Sequence, residues 1–313
     1  MPIVTALRND KLEEHHWSQI KGLIKKDIDV NASDFSLKSL IDMDVNQYQE
    51  EIVVISTQAT QEANLKVQIN ELAELWKAQQ FTVEIDEKTE VPILVGLDDI
   101  YQLLDESLAN INMILGSRFV KPLRGEAEKW KKDILTISDM VEQWQMCQMN
   151  WRYLENIFMK AQDIRKAMPD ETKRFEQVDK SFRNLMGKTQ KQPVIIKIIT
   201  AKPFKTLDEL TQNNQILDEV QKSLDDYMTL KRKAFPRFYF LSNDELIDIL
   251  ANSTDLAIIQ QHLKTCFDNI VKLEIVDGES IRGMYSGEGE LVPFQKEVKA
   301  RNPVEGWLDN LQQ

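Results

Sequence analysis

Few residues in this 313-residue chain stand at spacings that could carry chemistry. Gly187-Lys188-Thr189 has the closing residues of a phosphate-binding loop. Such a loop needs a second glycine five residues earlier, so that the backbone can wrap and aim its N–H groups at phosphate. Phe182 stands there instead, on the apolar stripe of an expected helix. A glycine that ends a helix, with polar flanks, is the better reading. His15 and His16 are adjacent, so their side chains are expected to diverge on a helix; paired ligands on one helix face sit three or four residues apart. His262 has Cys266 one turn further on, but Cys266 follows an apolar pattern and reads as core packing rather than metal binding. Carboxylates are abundant and expected on outward helix faces. No two of them are marked as an acid and base pair. Ser-His-Asp and Cys-His nucleophile patterns are missing. The residues therefore point to no catalytic group, no cofactor-binding group and no metal.

The elements around these residues are helical. Gly and Pro number 10 and 9 and mark punctuation points, which suggests long helices. Leu65, Ile69, Leu72 and Trp76 form one stripe within 58–80, and Ile100, Leu104, Leu108, Ile111 and Leu115 another within 98–115, closed by Gly116-Ser117. The longest pattern runs from about Glu126 to Ala161. Trp130, Ile134, Ile137, Val141 and Trp144 alternate, and after a phase shift Cys147, Trp151, Leu154 and Phe158 continue. A helix of that length is roughly 50 Å long. Phe175, Val178, Phe182 and Leu185 predict a shorter helix after Pro169. Val194–Ile199 lies in a connector between Gln192-Pro193 and Lys202-Pro203. Thr206-Leu207-Asp208-Glu209 reads as a capping box opening a long helix that Phe235-Pro236 stops. Short helices follow near 243–251 and 255–267. Leu273-Glu274-Ile275, the Asp277-Gly278 turn, Ile281–Tyr285, the Gly287-Glu288-Gly289 turn and Leu291–Phe294 then predict a β meander. The fold class expected is mainly α: an elongated arch of successive helical bundles with a small antiparallel β meander near the C-terminus. Its sections are an N-terminal helical bundle (1–120), central long-helix bundles (121–235), and short helices plus the meander (236–313).

Composition narrows the function classes. Lys plus Arg total 39 against 51 Asp plus Glu, a formal charge of −12. That balance disfavours nucleic acid, whose binding rests on phosphate neutralisation, and anionic membranes. The basic clusters at Lys129 with Lys131-Lys132 and at Lys231-Arg232-Lys233 read as solvated helix faces. Cys147 and Cys266 are core thiols rather than a disulfide framework. The sequons Asn31-Ala32-Ser33 and Asn252-Ser253-Thr254 read as incidental. The tryptophans Trp130, Trp144 and Trp151 are expected to fill the wide gaps between long helices.

One stretch carries more information than any of these. Phe235-Pro236-Arg237-Phe238-Tyr239-Phe240-Leu241 packs aromatics around a proline and leads into Ser242 and Glu245 at capping-box spacing. If the segment is extended, Phe238 and Phe240 point one way and Tyr239 the other. It resembles a signature of the linker region of dynein heavy chains. Trp144 and Trp151-Arg152-Tyr153-Leu154-Glu155-Asn156-Ile157-Phe158 resemble the family's tryptophan-rich helix, followed in family order by Asp163-Ile164, Pro169, Phe175 and Val178-Asp179. His262-Leu263-Lys264 with Cys266-Phe267, Gly287-Glu288-Gly289-Glu290, Val304-Glu305 and Trp307-Leu308 also fall in order. The resemblance runs from about His16-Trp17 to Leu308. The spacer from Gly116 to Arg124 resembles axonemal heavy chains more than cytoplasmic ones, and Met1-Pro2 reads as a boundary within a longer chain. The resemblance implies a lever that does no chemistry and holds no cofactor, with ATP bound elsewhere in the parent chain. Its expected partner is the AAA+ ring of the same heavy chain, with the microtubule reached only through the motor. The expected place is the cytoplasm and cytoskeleton, within the axoneme of a cilium or flagellum. The alternative is a helical scaffold or tether outside any motor.

Overall fold

The structure is a computed structural model that describes residues 2–25, 45–159, 161–201, 205–278, 280–301 and 303–312. The sequon at Asn31 lies outside the described residues. The chain is mainly α with a β meander toward the C-terminus, as its patterns predict. It divides into two compact units.

The first unit comprises Met1–Thr82, Leu94–Asp139 and Gln192–Pro203. Helices α1 (Pro2–Leu7) and α2 (Glu14–Ile24) lie against the long α3 (Gln49–Ala78). Ile3, Leu7, Ile20, Ile24, Val45, Ile52 and Ile55 form their shared core, with Trp17 packed on its edge. Further along α3, Trp76 is fully buried and donates its indole N–H to Ser107 Oγ at 3.0 Å. Ser107 belongs to α4 (Leu97–Gly116).

Two strands not foreseen in the sequence, β1 (Thr82–Ile85) and β2 (Pro92–Val95), pair in a small sheet. At four residues each they are too short to show an alternating pattern. Asp86 N–H donates to Val91 O and Glu90 N–H to Asp86 O, closing their connection.

Helix α5 (Arg124–Phe158) is 35 residues long and contributes its first part to one unit and its second to the other. Helices α6 (Gln162–Ala167) and α7 (Pro169–Lys191) follow. Gly187 does not end a helix, because α7 continues four residues past it to Lys191. Phe182, Met186 and Thr189 are buried there, and that packing overrides the weak helix preference of a single glycine. The Val194–Ile199 run is not a plain connector. Val194 bridges Gln80, and α8 (Ile195–Ala201) begins beside it, with Ile195 N–H donating to Gln79 O.

The second unit comprises Val83–Ile93, Met140–Lys191 and Phe204–Gln313. It holds α9 (Lys205–Ala234), α10 (Asn243–Ala251), α11 (Leu256–Cys266), strands β3 (Lys272–Val276), β4 (Ser280–Tyr285) and β5 (Leu291–Lys299), and α12 (Val304–Gln312). Thr206 is already helical in α9, so it is not the expected cap. Pro236 stops α9 as foreseen, since its ring blocks the next turn. Ser242 Oγ accepts from Glu245 N–H while the Glu245 carboxylate accepts from Ser242 N–H, the reciprocal box expected. Strands β3, β4 and β5 lie in that order and antiparallel, with Leu273 opposite Met284 and Met284 opposite Val292. Asp277 and Gly278, at φ 54° and 75°, make the tight turn their types favour. Gly283 sits at an irregularity in the β4–β5 register, where an added Cβ would stand 2.8 Å from Val292 O.

Candidate functional site

The tryptophan-rich signature of the second unit runs along the C-terminal half of α5. Val141, Trp144, Cys147, Trp151, Leu154 and Phe158 are fully buried along one seam, as their spacing demands. Trp144 directs its indole N–H at Met186 Sδ, 3.2 Å away on α7. Trp151 stacks on Phe182 at 4.6 Å between centroids, and Phe158 on Phe175 at 5.7 Å. Trp130 differs: it is only partly buried, and it belongs to the first unit.

Polar pins run beside this seam. Trp151 Nε1–H donates to Asp179 Oδ1 at 2.9 Å, and Arg183 Nε reaches both oxygens of Asp179 at 2.8 and 2.9 Å. The Arg183 guanidinium also lies over the Trp151 ring and 3.7 Å from Glu155. One residue along α5, Arg152 pairs with Asp86 at 2.6 Å. Burial alone raises the Asp86 pKa. The Thr89 hydroxyl, the Arg152 guanidinium and the backbone N–H groups of Thr89 and Lys88 outweigh it and hold the carboxyl below its ordinary value. Glu62, Asp86, Glu155 and Asp179 are buried, so carboxylates are not confined to outward faces. Asp86 pairs with Arg152 and Glu155 with Arg183, both far away in sequence, and Glu62 faces His15 and His16. A local pattern cannot show these, whereas the Asp179 pair with Arg183 is a local one, four residues apart.

Beside Arg152 opens a groove of about 850 Å³, between α5, the Asp86–Thr89 turn and α10. Tyr153 lines it. Burial first, then Asp244 and Asp225, push its phenol pKa up, so it stays a neutral donor.

The aromatic corner departs from its expected shape. Pro236–Phe240 is a 3₁₀ helix, not an extended segment. Phe238 therefore faces Phe235, three residues back, with rings edge to face at 4.9 Å. Both are buried, whereas Tyr239 and Phe240 face solvent together, Phe240 at 68 % exposure. Pro236 is exposed. Arg237 lies over the Phe267 ring and donates to Cys266 O at 3.0 Å.

The basic run that closes α9 is not a solvated face. Arg232 donates to Phe238 O, Leu241 O and Asn243 Oδ1, tying the corner together. Lys231 forms a largely buried pair with Glu305 at 2.6 Å. Burial lowers the Lys231 pKa, but the bond to Glu305 and the Tyr227 beside it overcome that and raise it. Glu305 and the buried Trp307 belong to α12, so this pair fastens the last described helix to α9. Gly287, Glu288 and Gly289 form the exposed β4–β5 turn, Gly289 at φ 84°.

His262 and Cys266 do not meet a common ligand. His262 Nε2 lies 2.9 Å from Asp248 Oδ2, and burial lifts the Cys266 thiol to about 11. Burial, with the Glu209 charge, lifts Cys147 to about 12. Gly187-Lys188-Thr189 is helical, with Thr189 Oγ1 donating to Leu185 O, so its backbone N–H groups do not form a phosphate cradle. His15 and His16 do not diverge. Their ring centroids are 3.7 Å apart, and both rings face Glu62 of α3. The cause is local: Glu13 N–H donates to His16 Nδ1 at 3.1 Å, which swings that ring back over the start of α2.

The arrangement is one of packed seams, buried pins and capped corners, the parts of a protein that holds a shape. Among the described residues, no helix is long and apolar enough to cross a membrane. All residues 1–313 match the family described as dynein heavy chain, N-terminal region 2. The chain is 36% identical over its whole length to human dynein axonemal heavy chain 2 and 37% identical over its whole length to human dynein axonemal heavy chain 6. It is 33% identical, again over its whole length, to the 1-alpha heavy chain of the flagellar inner arm I1 complex of Chlamydomonas reinhardtii. This chain belongs to the dynein heavy chain family, in its N-terminal region. It spans only 7%, 8% and 7% of those three relatives.

Proposed function

We propose that this chain is part of the linker of an axonemal dynein heavy chain. It is a mechanical lever that changes shape and contacts on the AAA+ ring of the same heavy chain to produce the stroke. It performs no chemistry itself, binds no cofactor, and works in the axoneme of a cilium or flagellum. The names of its relatives supply the axonemal setting. The observation that carries the lever reading is α5, with 35 unbroken residues and a buried aromatic seam. At 1.5 Å per residue this is a spar of roughly 50 Å. Such a helix resists bending as long as its hydrogen-bond ladder is intact.

The test softens the spar without touching the seam. Lys131 and Asp139 lie off the seam, and each glycine in a helix interior costs roughly 1 kcal/mol relative to alanine. In a full-length heavy chain, Lys131→Gly with Asp139→Gly is expected to slow microtubule gliding while basal ATPase is largely kept. The matching double alanine variant is expected to glide normally. Normal gliding by the glycine variant, or ATPase falling in step with velocity, refutes the lever role. A tether outside any motor would give no gliding defect at all.

A further inference from the structure

The first turn of α2 gathers three metal-ligating side chains of the first unit at one point. His15 Nε2 lies 2.9 Å from Glu62 Oε2, and His16 Nε2 lies 3.0 Å from the same oxygen. The three donor atoms are all within 4.8 Å of one another. Glu62 is itself oriented from α3, where Gln58 Nε2 donates to its Oε1 at 2.7 Å. His16 is 1 % exposed, and its Nε2 lacks a well-aligned hydrogen bond although the Glu62 oxygen stands 3.0 Å away. A buried imidazole nitrogen beside a carboxylate but poorly aligned with it has room for a better partner. Burial first, then the neighbouring His15, hold the His16 pKa below its ordinary value, against the opposing pull of Glu62 and Glu13.

We propose that His15, His16 and Glu62 form a binding site for a divalent transition metal ion, with zinc the best match. Two imidazoles and one carboxylate are a donor set that zinc accepts, with a water in the fourth position. Imidazole nitrogen selects against magnesium and calcium, which take oxygen ligands. Tetrahedral bonds of about 2.0–2.1 Å separate donors by roughly 3.3 Å, so the two imidazole–Glu62 distances have to lengthen by about 0.3–0.4 Å. A groove of about 850 Å³ lined by His15, Gln19, Thr57, Gln58 and Glu62 gives the ion and its water a way in.

Coordination has one structural cost. The Glu13 N–H bond to His16 Nδ1 places the ring proton on Nε2 in the metal-free chain. When the metal takes Nε2, that proton moves to Nδ1 and Glu13 N–H is released. The ring stays neutral and no net proton leaves. The site therefore exchanges one N-terminal hydrogen bond of α2 for a coordinate bond, and binding carries a signature beyond affinity.

The experiment uses the 313-residue chain freed of metal with a chelator and titrated with Co²⁺, read by its visible d–d absorption. Zn²⁺ competition and hydrogen exchange at the Glu13 amide follow. One equivalent of tetrahedral Co²⁺, displaced by Zn²⁺, with faster Glu13 exchange when the site is filled, is the expected result. His15→Ala and Glu62→Gln should each weaken binding by more than the roughly 10–100-fold typical of losing an outer-shell partner. His262→Ala should leave it unchanged. His15 is 39 % exposed, so its replacement leaves the fold intact and isolates ligand loss from misfolding. No saturable binding, or binding that survives either His15→Ala or Glu62→Gln, overturns the proposal.

Discussion

Asp179→Ala should be among the most damaging single changes in the second unit, and the structure sets its size. The Asp179 side chain is 11 % exposed and serves two donors at once. Its loss leaves Trp151 Nε1–H buried with no acceptor, a cost of about 1–3 kcal/mol. It also removes the charge-assisted bonds to Arg183. Those would count for about 1.5–3 kcal/mol if fully buried. Arg183 is 37 % exposed and keeps Glu155 nearby, so solvent recovers part of that. Together the loss is about 3–4 kcal/mol. Asp179→Asn keeps an oxygen for Trp151 but turns an amide N–H toward Arg183, and about 2 kcal/mol is expected. In the double variant with Trp151→Phe, Asp179→Ala should cost about 1 kcal/mol less than in the parent, because the stranded indole donor is gone. Urea unfolding followed by circular dichroism and by tryptophan fluorescence reads all three. If Asp179→Ala stays within about 0.5 kcal/mol of wild type, or if Trp151→Phe leaves its cost unchanged, the pin is not what holds α7 on α5.

Phe238→Ala should cost about 3–5 kcal/mol, because the ring is buried against Phe235, while the exposed Phe240→Ala should stay within about 0.5 kcal/mol; equal denaturation midpoints for the two would refute the 3₁₀ corner. Gly283→Ala should destabilise the β meander by more than 1 kcal/mol, about the glycine-to-alanine scale, because its Cβ would meet the Val292 carbonyl at 2.8 Å; loss of slow amide exchange in β4 and β5 is the measurement. Stability in EDTA should depend on pH through His16. Its folded pKa is depressed, so the stabilisation is present above the unfolded value of about 6.5 and is lost as pH falls through the folded value. His15, Glu62 and Glu13 face it, so the expected change is the part of the acid slope that His16→Gln removes while Gln keeps the helix cap; an unchanged slope refutes the assignment.

Most of the helical fold was legible because its signals are local. The α5 seam, the Pro236 stop, the Ser242–Glu245 box and the Asp277-Gly278 turn each rest on residues within a few positions of one another. What escaped is what partners across the chain decide. Asp86 is buried because Arg152 stands 66 residues away to pair with it, and Asp179 because Trp151 stands 28 residues away. Lys231 is drawn inward by Glu305, which its own neighbours in sequence do not announce. Phe238 pairs with Phe235 because proline starts a three-residue turn where an extended segment was equally compatible with the sequence. The histidine pair needed knowledge of where Glu13 N–H points, and only the helix start supplies that.

The two buried thiols have a practical consequence. At about 12 and about 11, Cys147 and Cys266 are almost wholly protonated at neutral pH, with a thiolate fraction on the order of one in several thousand or less. Maleimides and iodoacetamides, which attack through the thiolate, should pass both by while the fold is intact. A single cysteine introduced on the exposed β4–β5 turn and another on an exposed position of α3 could then take a fluorophore pair in the otherwise native sequence. Energy transfer between them would follow the distance from one unit to the other, molecule by molecule, without first stripping cysteines from the core.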